Sequence, residues 1–152
     1  RLVLTEPDKH MRRVLERKVS NRGLENTQVS DGTAQQIRAE DESFDCVVAF
    51  LVCGGSPNLD LGTALGEIKR VLKHGGNFVF LEHVAAAEGT STRRWQERLN
   101  PIWNFMTGCH LDPETEKAII TAGFKMREIT REYARRTLPI LGSTIRGIAE
   151  KT

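Results

Sequence analysis

At 152 residues with 39% apolar side chains, the chain is long enough for one domain with a real core, and no second domain is expected. Its 22 basic and 20 acidic residues leave a formal charge of +2, too small an excess to argue for a nucleic-acid partner. No apolar stretch approaches the ~20 residues that span a bilayer. Cys46, Cys53 and Cys109 lack CxxC spacing, which argues against a disulfide framework and a metal site and for a reducing, cytoplasmic compartment.

Leu2 to Thr5 reads as a short apolar strand. Pro7 and Asp8 then start a helix that Gly23 stops. Arg12, Arg13, Arg17, Lys18 and Arg22 surround a stripe of Met11, Val14, Leu15 and Val19, so they read as a solvated helix face. A second strand follows around Thr27 to Ser30, Asp31-Gly32 turns the chain, and Thr33 to Ile37 is expected as a helical turn. The acidic loop Glu40 to Ser43 leads to a strand from Asp45 to Leu51. Ser56-Pro57-Asn58 marks the next loop, and a helix from about Asp60 puts Leu61, Leu65, Ile68 and Leu72 on one face despite Gly66. Gly75-Gly76 stops it, and Asn77 to Val84 is the following strand. The apolar runs are too continuous for strands with one wet face, so a parallel sheet covered on both sides is expected.

The second half changes character. Ser91 or Thr92 caps a helix through Leu99, and Pro101, lacking a backbone donor, is expected to break it, with Asn100 capping a new turn. Asp112-Pro113-Glu114 opens another helix that ends at Gly123, and Phe124 to Arg131 and Thr144 to Ala149 finish as strands.

Strand, helix, strand, helix and two closing strands resemble an S-adenosylmethionine-dependent methyltransferase of the Rossmann-like, type 11 class. Within it the likeness is to the thiol S-methyltransferases. It is carried by Leu81-Glu82-His83-Val84-Ala85, Trp95, Asn100-Pro101-Ile102-Trp103, Gly108-Cys109-His110-Leu111 and Gly147-Ile148-Ala149-Glu150-Lys151, with Val71-Leu72-Lys73-His74-Gly75-Gly76 generic to the class. The resemblance implies a doubly wound α/β domain over residues 1–152 with a mostly parallel sheet and an antiparallel C-terminal strand. It implies S-adenosylmethionine as cofactor and a small-molecule acceptor, a thiol or other apolar nucleophile. Glu6, at the carboxyl end of the first strand, stands where such folds place an acid for the ribose hydroxyls. Gly32-Thr33-Ala34-Gln35 lies where the family meets the adenine edge, with Thr33 in place of an acid, and Leu51 closes the next strand toward the cofactor.

Methyl transfer is an in-line displacement, so the protein mainly positions donor and nucleophile, and a thiol also benefits from a base. His83 is the first candidate base and His110 the second. Glu82 and His83 are neighbours on a strand and point to opposite faces, so one of them reaches a pocket, while the other reading is that both tie down loops. Trp95, Trp103, Phe105 and Met106 offer an apolar acceptor pocket, but aromatics at helical spacing are more often core. Cys109 reads as packing.

One departure stands out. The family's Gly-rich loop and the central strand before it have no counterpart here, and the chain, opening at Arg1, reads as the remainder of a longer one. Membrane contact is then expected only through a segment upstream of Arg1, which would put the protein on the cytosolic face of a membrane. Loss of a central strand leaves unpaired backbone, so the chain alone is expected to be poorly folded, to close the gap by pairing residues 2–5 with 45–51, or to take a strand from a partner. A non-catalytic binding or scaffold module stays open as an alternative. A nicotinamide-dependent oxidoreductase ranks last, because Tyr133 is the only tyrosine for a Tyr-Lys pair.

Overall fold

The computed structural model describes residues 1–52, 59–107, 114–134 and 137–152. Strand β1 (Leu2–Thr5) runs into helix α1 (Lys9–Asn21) through an Asp8 cap. The Asp8 carboxylate accepts the Met11 and His10 N–H groups at 2.8 and 2.9 Å, and the Met11 bond foremost holds its pKa below the ordinary value. Gly23, with φ +60°, turns the chain into β2 (Thr27–Ser30), which pairs parallel with β1 from Leu2↔Thr27 to Thr5↔Ser30.

β3 (Phe44–Phe50) is joined to α2 (Leu61–Val71), whose Asp60 cap accepts the Gly62 N–H. The buried side of α2 carries Ala64, Leu65, Ile68 and Val71, close to the expected face. The next strand starts earlier than expected. β4 (Leu72–His83) follows α2 directly, because Leu72 already pairs with Phe44 across a bulge, and Gly75 (φ +75°) and Gly76 belong to the strand rather than preceding it. A side chain at Gly76 would meet the Lys73 carbonyl at 2.8 Å, so no other residue fits there.

Pro101 does not end its helix. α3 (Ser91–Thr107) continues through it, since a proline removes only one i→i−4 bond and the rest of the helical ladder remains. α4 (Thr115–Thr121), β5 (Phe124–Tyr133), a 3₁₀ turn (Pro139–Leu141) and β6 (Ser143–Lys151) complete the chain.

Two sheets result. One holds β1 and β2, the other has the order β3-β4-β6-β5. β3 and β4 are parallel, and β6 is antiparallel to both β4 and β5, so in the larger sheet β6 alone runs the other way. Phe78, Phe80, Ile145 and Ala149 of that sheet are buried against Leu65, Ile68, Ile119 and Phe124, with Phe78 packed 5.5 Å from Phe80 and 5.7 Å from Phe124. Lys69 of α2 donates to the Ala122 and Gly123 carbonyls at the end of α4, binding the two helices together.

The opposite face departs from expectation. Val47 and Ala49 join the core, but Cys46, Val48 and Phe50 on the other face of β3 are exposed, Val48 by 54% and Phe50 by 61%. The continuous apolar run is therefore covered on one side only among the described residues. Nor does the chain close its gap: no ladder joins β1 to β3. A cavity of about 630 Å³ lies there instead, lined by Leu2 on one side and by Phe44, Cys46 and Val48 on the other.

Candidate functional site

Glu6, the 32–35 loop, Leu51 and His83 stand at the carboxyl ends of β1, β2, β3 and β4, the ends at which open α/β sheets bind ligands. The 630 Å³ cavity is not this site, since it is bordered by the amino-terminal residues of β1 and β3. Glu6 continues the β1 ladder through its N–H to the Ser30 carbonyl, and its Oε1 accepts the Asp8 N–H at 2.9 Å. A carboxylate has about four acceptor positions. One bond to the backbone fixes its orientation and leaves capacity for hydroxyl donors.

The loop after β2 is a tight turn, not the expected helical one. Thr33 and Gln36 exchange backbone hydrogen bonds of 3.1 and 3.2 Å across Ala34 and Gln35. Gly32 is buried beneath it, and a Cβ there would lie 3.0 Å from the Gln36 carbonyl, which is why the turn closes so tightly. Two residues of α2 hold the loop from behind. Glu67 accepts the Ile37 N–H at 2.9 Å, and Arg70 donates to the Ile37 and Ala39 carbonyls while pairing with Glu67 and Asp41. Arg70 above all lowers the Glu67 pKa, and Glu67 first and Asp41 second raise that of Arg70. The signal for this anchor was the Glu-x-x-Arg spacing on α2, which sequence reasoning passed over.

At the end of β3, Leu51 takes φ +55°, a left-handed backbone uncommon for a bulky residue. Its N–H still reaches the Leu81 carbonyl at 2.8 Å, and the twist aims the Val52 N–H at Oε1 of Glu82, 2.9 Å away. Glu82 is completely buried, on the face of β4 shared with Phe78 and Phe80, so it is the loop-holding member of the Glu82-His83 pair. His83 points to the opposite face, half-buried, with no hydrogen-bond partner for its buried Nδ1 among the described residues. Beyond it, the buried Gln96 of α3 accepts the Ala86 N–H at 2.7 Å and donates to the Ile140 carbonyl at 2.8 Å. Gln96 thereby ties the segment after His83 to the 3₁₀ turn. Nothing in its spacing marked it beforehand.

The aromatic residues of α3 are not core. Trp95 is 52% exposed, Phe105 92% and Met106 76%, while Trp103 is half-buried. The helical spacing was real, but the stripe faces outward. His110 and Cys109 lie outside the described residues, as does Gly54-Gly55. Among the described residues, no group of three or more His, Cys, Asp or Glu is placed to hold a metal, and no helix is long and apolar enough to cross a membrane.

This arrangement defines a Rossmann-like S-adenosylmethionine-dependent methyltransferase fold, and solved structures agree. A methyltransferase from Bacillus halodurans C-125 superposes with a TM-score of 0.77 at 15% identity, covering 99% of this chain and 83% of that one. Geranyl diphosphate methyltransferase in complex with S-adenosylmethionine superposes with a TM-score of 0.76 at 11% identity, covering 99% and 68%. The family model described as "Methyltransferase domain" matches residues 1–80, and the chain belongs to that type 11 family. Human thiol S-methyltransferase TMT1A is 37% identical over 112 residues, 73% of this chain and 45% of the relative. Rat thiol S-methyltransferase TMT1B is 42% identical over 87 residues, 55% and 34% respectively. The chain thus spans less than half the length of these two relatives.

Proposed function

We propose that the protein takes part in methyl transfer from S-adenosylmethionine to a small-molecule thiol. The observation that carries this reading is His83, a half-buried imidazole with a free Nδ1 at the carboxyl end of β4, in a chain whose curated relatives are named thiol S-methyltransferases. The residues at the strand ends suit the adenosine part of the cofactor. Glu6 has acceptor capacity for ribose hydroxyls, and the Cβ-free Gly32 packs the 33–36 turn tightly beside it in the sheet. The Thr33 hydroxyl is the acceptor available to an adenine amino group. No Gly-x-Gly-x-Gly loop for the methionine part occurs in this sequence.

When bound, the cofactor supplies an electrophilic methyl group on a sulfonium. The thiol must lose its proton to attack it, and the His83 imidazole accepts that proton. Glu82 works indirectly, fixing the loop after β3 through Val52. The test is methylation of thiols of graded acidity from labelled S-adenosylmethionine. His83→Gln should slow transfer to weakly acidic thiols by about 100-fold and spare those already ionised. An equal rate on every thiol overturns the base role, and no transfer to any thiol by the unmodified protein overturns the acceptor.

A further inference from the structure

Among the described residues of α3, Gln96 alone is fully buried, and the others are half-buried or exposed. A helix is ordinarily held to its sheet by apolar side chains, and burying an amide instead costs free energy unless its hydrogen-bonding groups are paired. Here they are paired. Oε1 accepts the Ala86 N–H at 2.7 Å, while Nε2 donates to the Ile140 carbonyl at 2.8 Å and lies 3.5 Å from the Val84 carbonyl. An amide nitrogen carries two hydrogens, so this one side chain grips the backbone on both sides of Ala85 and fastens it to the 3₁₀ turn.

The gripped residues directly follow His83. The β4–β6 ladder ends at the His83↔Thr144 pair, and one further bond, from the Val84 N–H to the Ser143 carbonyl at 3.0 Å, ties the chain to β6. Among the described residues, the other hydrogen bonds of residues 84–86 all go to Gln96. The buried Nδ1 of His83 has no hydrogen-bond partner there, so the direction of the ring follows from the backbone that carries it and from packing. Direction matters to a base, which must come within about 2.6 to 3.2 Å of the proton it takes, and a displacement of about 1 Å can cost about 100-fold in rate.

We propose that Gln96 is a positioning residue for His83: its buried amide locks residues 84–86 between α3 and the 3₁₀ turn and thereby fixes the imidazole at the end of β4. Its bearing on methyl transfer rests on the reading of His83 as the base. The effect on the ring itself does not.

The test reads the ring directly. In protein labelled with ¹³C at histidine Cε1, the His83 resonance is the one lost in His83→Gln, and the exposed His10 and His74 serve as internal controls. Gln96→Met keeps the bulk and drops every bond, whereas Gln96→Glu keeps an acceptor for Ala86 and, when ionised, loses the donor bonds. Each should broaden or split the His83 resonance, as exchange between ring positions does, and leave those of His10 and His74 unchanged. Each should also slow transfer to weakly acidic thiols by about 10-fold or more relative to thiols already ionised. A sharp, unshifted His83 resonance in either folded variant overturns the positioning role, as does equal slowing on every thiol where His83→Gln discriminates between them. If His83→Gln does not discriminate, the base reading falls, and the resonance alone decides whether Gln96 holds the ring.

Discussion

Oε1 of Glu82 accepts the backbone N–H of Val52 at 2.9 Å, joining a fully buried carboxylate on β4 to the first residue beyond the left-handed Leu51. Glu82→Ala removes that acceptor, leaves the half-buried Val52 N–H without it and opens a cavity at a fully buried position, so it should destabilise the protein by about 2 to 4 kcal/mol in urea unfolding. Glu82→Gln keeps an acceptor in place and should cost clearly less. Equal losses for both would show that charge rather than the Val52 bond is what matters.

Leu51 gives the opposite sign. A bulky residue in left-handed backbone stores about 1 to 2 kcal/mol, and Leu51 is half exposed, so little packing is lost on truncation. Leu51→Gly should therefore stay within about 1 kcal/mol of the parent despite glycine's entropic cost. Thermal unfolding of the pair decides it.

Gln96 is buried with its amide spent on Ala86 and Ile140. Gln96→Leu preserves bulk but strands both backbone groups, and should cost about 2 to 4 kcal/mol. Hydrogen exchange should locate the loosening at Ala86 and around the 3₁₀ turn, with the β3–β4 ladder unaffected.

The Glu67–Arg70 anchor carries a pH signature. The folded pKa of Glu67 lies below its ordinary value because Arg70 donates to the ionised form. Its stabilisation is complete above the unfolded carboxylate range, about pH 5 and higher, and is lost as pH falls through the lowered folded value. Glu67→Gln should be less stable than the parent by about 1 to 2 kcal/mol at pH 7, and the gap should close in acid. A gap that persists unchanged at pH 3 would contradict the assignment.

Glu6→Gln tests the ribose position. The amide oxygen can still cap the Asp8 N–H, so folding should be unchanged. Calorimetric affinity for S-adenosylmethionine should fall by about 2 to 4 kcal/mol. Unchanged affinity removes Glu6 from the site.

What the sequence disclosed and what it hid divide by the range of the interactions. Asp8, Asp60 and Gly23 announce helix ends because capping is settled within a few residues, and the strand ends bearing Glu6 and His83 were legible for the same reason. The Thr33–Gln36 turn was misread as helical because Gly32 is pressed against Gln36 and Arg38 and the loop is gripped by Glu67 and Arg70 some 30 residues away. Trp95, Phe105 and Met106 have the period of a buried stripe, yet period alone does not say whether anything lies opposite. The same is true of Val48 and Phe50. Their apolar run correctly promised a strand and overstated its cover.

β6 lies inside its sheet although it is the last strand of the chain, pairing Ala149 with Phe78 on one side and with Met126 on the other. Both ladders close loops, and the one to β4 joins residues about 70 positions apart, a separation that slows folding because loop closure is paid before any contact forms. During synthesis β3 and β4 can pair as soon as both are made, but β5 must wait until Ser143–Lys151 has emerged, having no other neighbour in the sheet. The core around Phe78 and Phe124 is therefore completed by the strand that emerges last of the six, and not by the sequence neighbours of Phe78.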